Sequence, residues 1–131
     1  MTATGLKKIL YVEDDPDIQE VAKMALEMLG GYTLQVCSSG GEALSVGEAF
    51  QPDLILLDVM MPGLDGPSTL KELRKLSGLD KTPAVFMTAK VMASDVASYK
   101  AFGAVDVISK PFDPMELSTR IGEIWEAHHG E

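Results

Sequence analysis

Cysteine is nearly missing from this sequence, with one residue, Cys37, among 131. A lone thiol builds no intrachain disulfide framework, forms no CxxC metal motif and gives no sign of an oxidising compartment, so a cytosolic setting is expected. Positive charge is also scarce. Eleven Lys and Arg stand against 20 Asp and Glu, for a formal charge of −9. That balance argues against nucleic acid as the main ligand, because phosphate backbones are bound by a surplus of Lys and Arg. An acidic pocket calls instead for a metal ion or a basic partner. No apolar run approaches the ~20 residues that a membrane helix needs. Met1 to Leu6 carries neither the charged nor the apolar block of a signal peptide. Low-complexity tracts and repeats are absent, and Gly and Pro are scattered as punctuation rather than gathered into a linker.

What is present is a hydrophobic share of 46%, normal for a globular chain and enough for a sizeable core in one domain of this length. The whole span 1–131 is expected to be that one domain, with its core over about 7–127. Lys7 to Glu13 contains the run Ile9, Leu10, Tyr11, Val12, which reads as a strand buried on both faces. A helix should follow, capped by Asp15, with Pro16 first and Ile18, Val21, Ala22, Ala25, Met28 and Leu29 inward, ending at Gly30 and Gly31. Met24, Met28 and Met87 are assigned to core positions. Tyr32 to Cys37 alternates as a second strand, and Gly41 to Phe50 forms a weaker helix with Ala43, Leu44 and Phe50 inside. Leu54 to Leu57 is a third strand running into Asp58, followed by a Pro- and Gly-rich loop and a helix bearing Leu70, Leu73 and Leu76.

Ala84 to Met87 is a fourth strand ending in Thr88, Ser94 to Phe102 a helix closed by Gly103, and Val105 to Ser109 a fifth strand. The last helix opens with Asp113, Pro114 and Glu116 as a capping box and turns Leu117, Ile121, Ile124 and Trp125 inward. Five strands each followed by a helix imply an α/β fold, a parallel sheet covered on both faces by right-handed crossovers. In such sheets ligands bind beyond the carboxyl ends of the strands.

The polar residues at those ends carry the functional reading. Glu13 and Asp14 follow the first strand, Asp58 ends the third, Thr88 the fourth, and Lys110 follows the fifth. Taken singly, each is an ordinary cap, turn or solvated residue, as Asp15 is taken to be. Together they fall on one edge, where three carboxylates repel unless a cation joins them. Mg²⁺ fits, since it prefers oxygen ligands and binds one or two carboxylates plus a phosphate. The lack of His or Cys beside them argues against zinc. A carboxylate left partly free can attack phosphorus to form an aspartyl phosphate, with the metal and Lys110 neutralising charge and Thr88 donating its hydroxyl to a phosphoryl oxygen.

The motifs ILYVEDDP, DLILLDVMMPGLDG, VFMTAK and GAVDVISKPF stand in the order and spacing of one family. Over about Lys7 to Ala127 the sequence resembles the receiver domain of two-component response regulators, a signalling family rather than an enzyme. The resemblance implies the strand order 2-1-3-4-5 of the flavodoxin-like fold. It implies that Asp58 takes a phosphoryl group from a phosphohistidine on a sensor histidine kinase or histidine phosphotransfer protein in the cytoplasm, with output by protein–protein interaction or phosphorelay. Asp14 is then a direct Mg²⁺ ligand, Glu13 acts mainly through water, and the backbone carbonyl of Met60 completes the protein ligands. Thr88 and Lys110 match the switch hydroxyl and the phosphate-contacting lysine. The Lys110 to Pro111 bond is expected to be cis, which only a bond before proline adopts at modest cost. Pro62, Gly63 and Gly66 match the loop beyond the phosphorylation site.

Three positions depart from common family patterns. Val107 stands where many receivers carry a Tyr or Phe that rotates inward, so the surface of the fourth helix, fifth strand and fifth helix is expected to change less on phosphorylation than in those receivers. Met60 and Lys90 occupy places where fast-hydrolysing members carry an amide or carboxylate, so slow to moderate self-dephosphorylation is expected. The chain is expected to act as a stand-alone phosphoacceptor with an unidentified downstream protein target. The alternative is a receiver-like interaction module that no longer takes phosphate. A flavin site would want a Ser-, Thr- and Gly-rich loop where Glu13, Asp14 and Asp15 stand, and a dehalogenase-type phosphatase would want Asp at Met60. The tail histidines His128 and His129 are expected to be solvent-exposed, Trp125 to pack the last helix, and Cys37 to be buried and inert.

Overall fold

The computed structural model describes residues 5–129, and of His129 the backbone alone. Strand β1 (Lys8–Val12) is followed by helix α1 (Pro16–Met24), which runs into one π-helical turn (Ala25–Leu29). The chain continues through β2 (Thr33–Cys37), α2 (Gly40–Phe50), β3 (Leu54–Asp58), α3 (Gly66–Leu73), β4 (Ala84–Thr88), α4 (Ala93–Ala101), β5 (Asp106–Ser109) and α5 (Leu117–His129). The five strands form one parallel sheet in the order β2-β1-β3-β4-β5, as the resemblance implied. Met1 to Thr4 and the side chain of His129 lie outside the described residues; His128 is exposed as expected.

Two cores, one on each face, follow from the alternation of the strands. Ile9, Tyr11, Leu54, Leu56, Val85 and Met87 face α1 and α5, where they meet Ala22, Leu26, Leu117, Ile121, Ile124 and Trp125. Leu10, Val12, Ile55, Leu57 and Phe86 face α2 and α3, against Ala43, Leu70 and Leu73. Each such aliphatic side chain, fully buried, contributes ~1.5–3 kcal/mol relative to leaving it in water. This double-sided burial is why β1, β3 and β4 read as unbroken apolar runs.

The helix starts behave as their residues dictate. The Asp15 carboxylate accepts from the Asp17 and Ile18 amides at 2.9 and 3.4 Å, and Pro16 takes the first helical position. Asp113 caps the last helix by a bond from the Met115 amide at 2.9 Å, with a turn over Pro114 to Glu116 preceding the helix proper. Gly103 has φ +112°, the conformation expected of a glycine just past a helix. Leu76 lies beyond the end of α3, half-buried at the rim of the core.

The first helix corrects the sequence expectation. Ala22, Ala25 and Leu26 are buried and Ile18 half-buried, but Val21, Met24, Met28 and Leu29 are exposed by 43, 60, 77 and 48%. On a 3.6-residue helix Val21 and Met28 lie about 100° away from the buried stripe and Met24 nearly opposite it. Leu29 would return to the stripe, but the π turn intervenes. There the Gly30 amide bonds back five residues to the Ala25 carbonyl at 3.2 Å, and the extra residue turns Leu29 outward. Met87, by contrast, is fully buried in β4.

Helix α4 is seated lightly. None of its nine residues is buried, and its main anchor is Tyr99, whose ring meets Phe86 edge-on at 5.6 Å and 88°. Its start is held by the Asp95 carboxylate, which accepts from the Met92 amide at 3.3 Å. Beside it, Val107 lines a cleft of about 790 Å³ between α4 and α5.

Candidate functional site

Every strand in a parallel sheet points the same way, so the ends of β1, β3, β4 and β5 meet on one edge. Glu13 follows β1 directly. Its amide donates to the Cys37 carbonyl at 3.0 Å, extending the β1–β2 ladder, and its carbonyl accepts from the Gln19 side-chain amide. The carboxylate is 1% exposed and engaged on both oxygens: Oε2 accepts from the Asp15 amide at 3.2 Å and Oε1 from Lys110 Nζ at 2.9 Å. Asp58, the last residue of β3, is also buried, and its Oδ1 accepts from the same ammonium at 3.1 Å.

Lys110 is placed by the sheet as well. Its amide donates to the Thr88 carbonyl at 2.9 Å, carrying the β4–β5 ladder one residue further, and the peptide bond to Pro111 is cis, as implied. Thr88 ends β4, buried, and its hydroxyl oxygen accepts from the Lys90 amide at 3.1 Å, which ties down the loop leading to α4. Asp14 is exposed. Carboxylate oxygens of Glu13, Asp14 and Asp58 lie within 4.8 Å of one another. The Met60 side chain is 71% exposed on the rim.

The electrostatics follow from burying unequal charge. Burial pushes the Glu13 carboxyl up to about 7 although the Lys110 ammonium opposes the shift, and burial likewise raises Asp58. Burial alone would lower Lys110, but its hydrogen bonds to Glu13 and Asp58 outweigh that and hold it above the ordinary lysine value. Two carboxylates share one ammonium and Asp14 adds a third, so the edge carries an excess of negative charge made wholly of oxygen donors. That donor set suits a hard divalent cation such as Mg²⁺ better than zinc, which favours His and Cys.

Thus the side chains of Glu13, Asp14, Asp58 and Lys110 lie together, and Thr88 stands on the same edge through its carbonyl, which accepts from the Lys110 amide. Two further residues, Gln19 and Tyr11, escaped the sequence reading as parts of the site. Gly66, matched there to the loop beyond the phosphorylation site, packs so close that a Cβ would sit 2.5 Å from the Asp58 carbonyl oxygen and 2.9 Å from Val59 Cα. Gln19 braces the Glu13 backbone from α1. Tyr11 lies two residues before Glu13 on the same face of β1, and that period of two was its only signal in the sequence.

A doubly covered parallel sheet of this order, with its acidic cluster, hydroxyl and lysine on the carboxyl edge, defines a receiver of the two-component signalling kind. The family model of the response regulator receiver domain matches residues 9–122, and the chain belongs to that family. The alkaline phosphatase synthesis transcriptional regulatory protein PhoP of Bacillus subtilis is 40% identical over 118 residues, 90% of this chain and 48% of its own. The DNA-binding response regulator MtrA of Mycolicibacterium smegmatis is 38% identical over 118 residues, 90% of this chain and 50% of its own. The chain therefore spans about half the length of these relatives. Among solved structures, the chemotaxis protein CheY4 of Vibrio cholerae superposes with a TM-score of 0.84 at 28% identity, over 92% of this chain and 99% of that one. Among the described residues no helix is long and apolar enough to cross a membrane.

Proposed function

We propose that Asp58 accepts a phosphoryl group from a phosphohistidine of a sensor kinase or phosphotransfer protein, in a reaction that depends on Mg²⁺ at Glu13, Asp14, Asp58 and the Met60 carbonyl. One observation carries this reading: a single ammonium, Lys110 Nζ, lies 2.9 Å from Glu13 and 3.1 Å from Asp58, at the sheet edge where Asp14 adds a third carboxylate. When bound, the cation supplies charge neutralisation on the transferring oxygens.

The chain's own groups do the rest. An Asp58 carboxylate oxygen bonds to phosphorus as the phosphorus–nitrogen bond breaks, and the histidine nitrogen leaves with the bonding pair and takes up a proton. Lys110 is already in contact with the attacking carboxylate, so it needs only a short shift to reach a phosphoryl oxygen. Thr88 has a hydroxyl hydrogen to donate, since its oxygen is the acceptor in the bond from Lys90. The net charge of −9 favours a protein surface over nucleic acid as the partner of these residues.

The test is incubation with Mg²⁺ and acetyl phosphate, read by intact mass, with Asp58→Asn as control. The wild type gains one phosphoryl mass and the control none. No gain on the wild type, or equal gain on both, overturns the reading and leaves an interaction module that works without phosphate.

A further inference from the structure

Tyr11 is the polar side chain that the proposed chemistry leaves unexplained. It is fully buried, and among the described residues its hydroxyl is the only buried side-chain polar atom without a hydrogen-bond partner. Native structures leave few such groups, and each unpaired one destabilises the state that buries it. Phenylalanine would fill the same space without that cost.

The hydroxyl's place in the sheet gives it a role. Tyr11 pairs with Leu56 across β1 and β3, so Glu13 is two residues further along its own strand and Asp58 two further along the neighbour. Two residues of strand cover about 6.6 Å, which brings both carboxylates within a side chain's length of the Tyr11 ring. Burial, and after it the charges of Glu13, Asp58 and Asp15, keep the phenol protonated and able to donate. Glu13 and Asp58 now share the Lys110 ammonium. Under the phosphoryl reading, on which this inference rests, Lys110 turns to the new phosphoryl oxygens, and Glu13 Oε1 loses its donor inside a buried site.

We propose that Tyr11 is a positioning residue of this site: its hydroxyl donates a hydrogen bond to the Glu13 carboxylate when Lys110 leaves Glu13 for a phosphoryl group on Asp58. The hydroxyl is thus a cost in the resting protein and a contact in the loaded one. This differs in sign from a packing role, which would be equal in both.

Tyr11→Phe removes the hydroxyl and keeps the ring, and Tyr11→Leu removes both. Each is compared with the wild type by thermal unfolding in EDTA and by titration with beryllofluoride in saturating Mg²⁺, followed by the rise in melting temperature. In EDTA the Phe variant melts at or above the wild type. Its half-saturating beryllofluoride concentration is roughly tenfold higher, the loss of one hydrogen bond to a charged group. The Leu variant melts lower in EDTA because it also loses the ring. Equal beryllofluoride midpoints for wild type and Phe variant, or a Phe variant that melts below wild type in EDTA, overturn the role of Tyr11 while the receiver reading stands. A wild type that fails to respond to Mg²⁺ and beryllofluoride overturns both.

Discussion

Lys110 reaches Asp58 across an intervening strand. Its Nζ stands 3.1 Å from Asp58 Oδ1 although β4 separates the strands that precede and carry them, and the same ammonium touches Glu13 on the far side. One cation thus spans four strands of the sheet edge. Its side chain is 19% exposed, and those of its partners 5 and 1%, so solvent screens the contacts little.

Lys110→Met should therefore destabilise the metal-free protein by about 3 kcal/mol at pH 7.5, because it strands two buried carboxylates without their counter-charge. Urea unfolding in EDTA measures the loss. The deficit should shrink on acidification, when the carboxyls protonate and no longer need the ammonium. A deficit that is constant with pH would mean that Lys110 contributes through packing.

The raised Glu13 pKa fixes the direction of the pH dependence. The folded state holds this carboxyl protonated up to about 7, whereas the unfolded chain releases the proton near 4.5. Below 4.5 both states are protonated and the contribution is fully present; it is lost as pH rises through 7. Asp58 shifts in the same direction. In EDTA the melting temperature should therefore fall between pH 5 and 7.5, and Glu13→Gln should flatten the slope. Added Mg²⁺, which competes with protons for these oxygens, should raise the melting temperature more at pH 7.5 than at pH 5.5.

Gly66→Ala tests the close approach of α3 to the site. The added methyl would meet backbone at 2.5 and 2.9 Å, and backbone cannot turn aside as a side-chain tip does. The start of α3 must shift, at a cost of about 1–3 kcal/mol. We expect a lower urea midpoint together with slower labelling by acetyl phosphate, since the displaced backbone is that of Asp58 and Val59. Normal labelling would show that α3 moves without disturbing Asp58.

Met60 and Lys90 are both exposed on the rim of the site, and neither offers a group that orients an attacking water. The phosphorylated protein should consequently outlast seconds without a phosphatase. Met60→Asn, which supplies an amide there, should shorten the lifetime several-fold, as followed by intact mass after the donor is removed. A wild-type lifetime of seconds would contradict this.

Most of the fold and the assembly of the site were legible from sequence because both depend on residue type and chain direction. Unbroken apolar runs marked the doubly covered strands, and parallel topology sends every strand end to one edge, so Glu13, Asp14, Asp58, Thr88 and Lys110 had to meet. What escaped depends on distance in three dimensions. Whether the Gly30 amide reaches back four residues or five is decided by how the helix packs, and it moved Leu29 from the core to the surface. Gly66 was legible as part of the loop beyond Asp58, but its contact with the Asp58 carbonyl is a matter of distance. Tyr11 sat inside an apolar run, and only its surroundings reveal a hydroxyl with nothing to bond.

Helix α4, with no buried residue, has little packing to hold it closed. Its amides should exchange with deuterium at the fast end of the range, far ahead of those in β3 and β4. The loop that leads into it is held by Thr88, one of the residues gathered around Asp58. A displacement of that hydroxyl would pull directly on the lead-in to a helix that has no buried residue to hold it back.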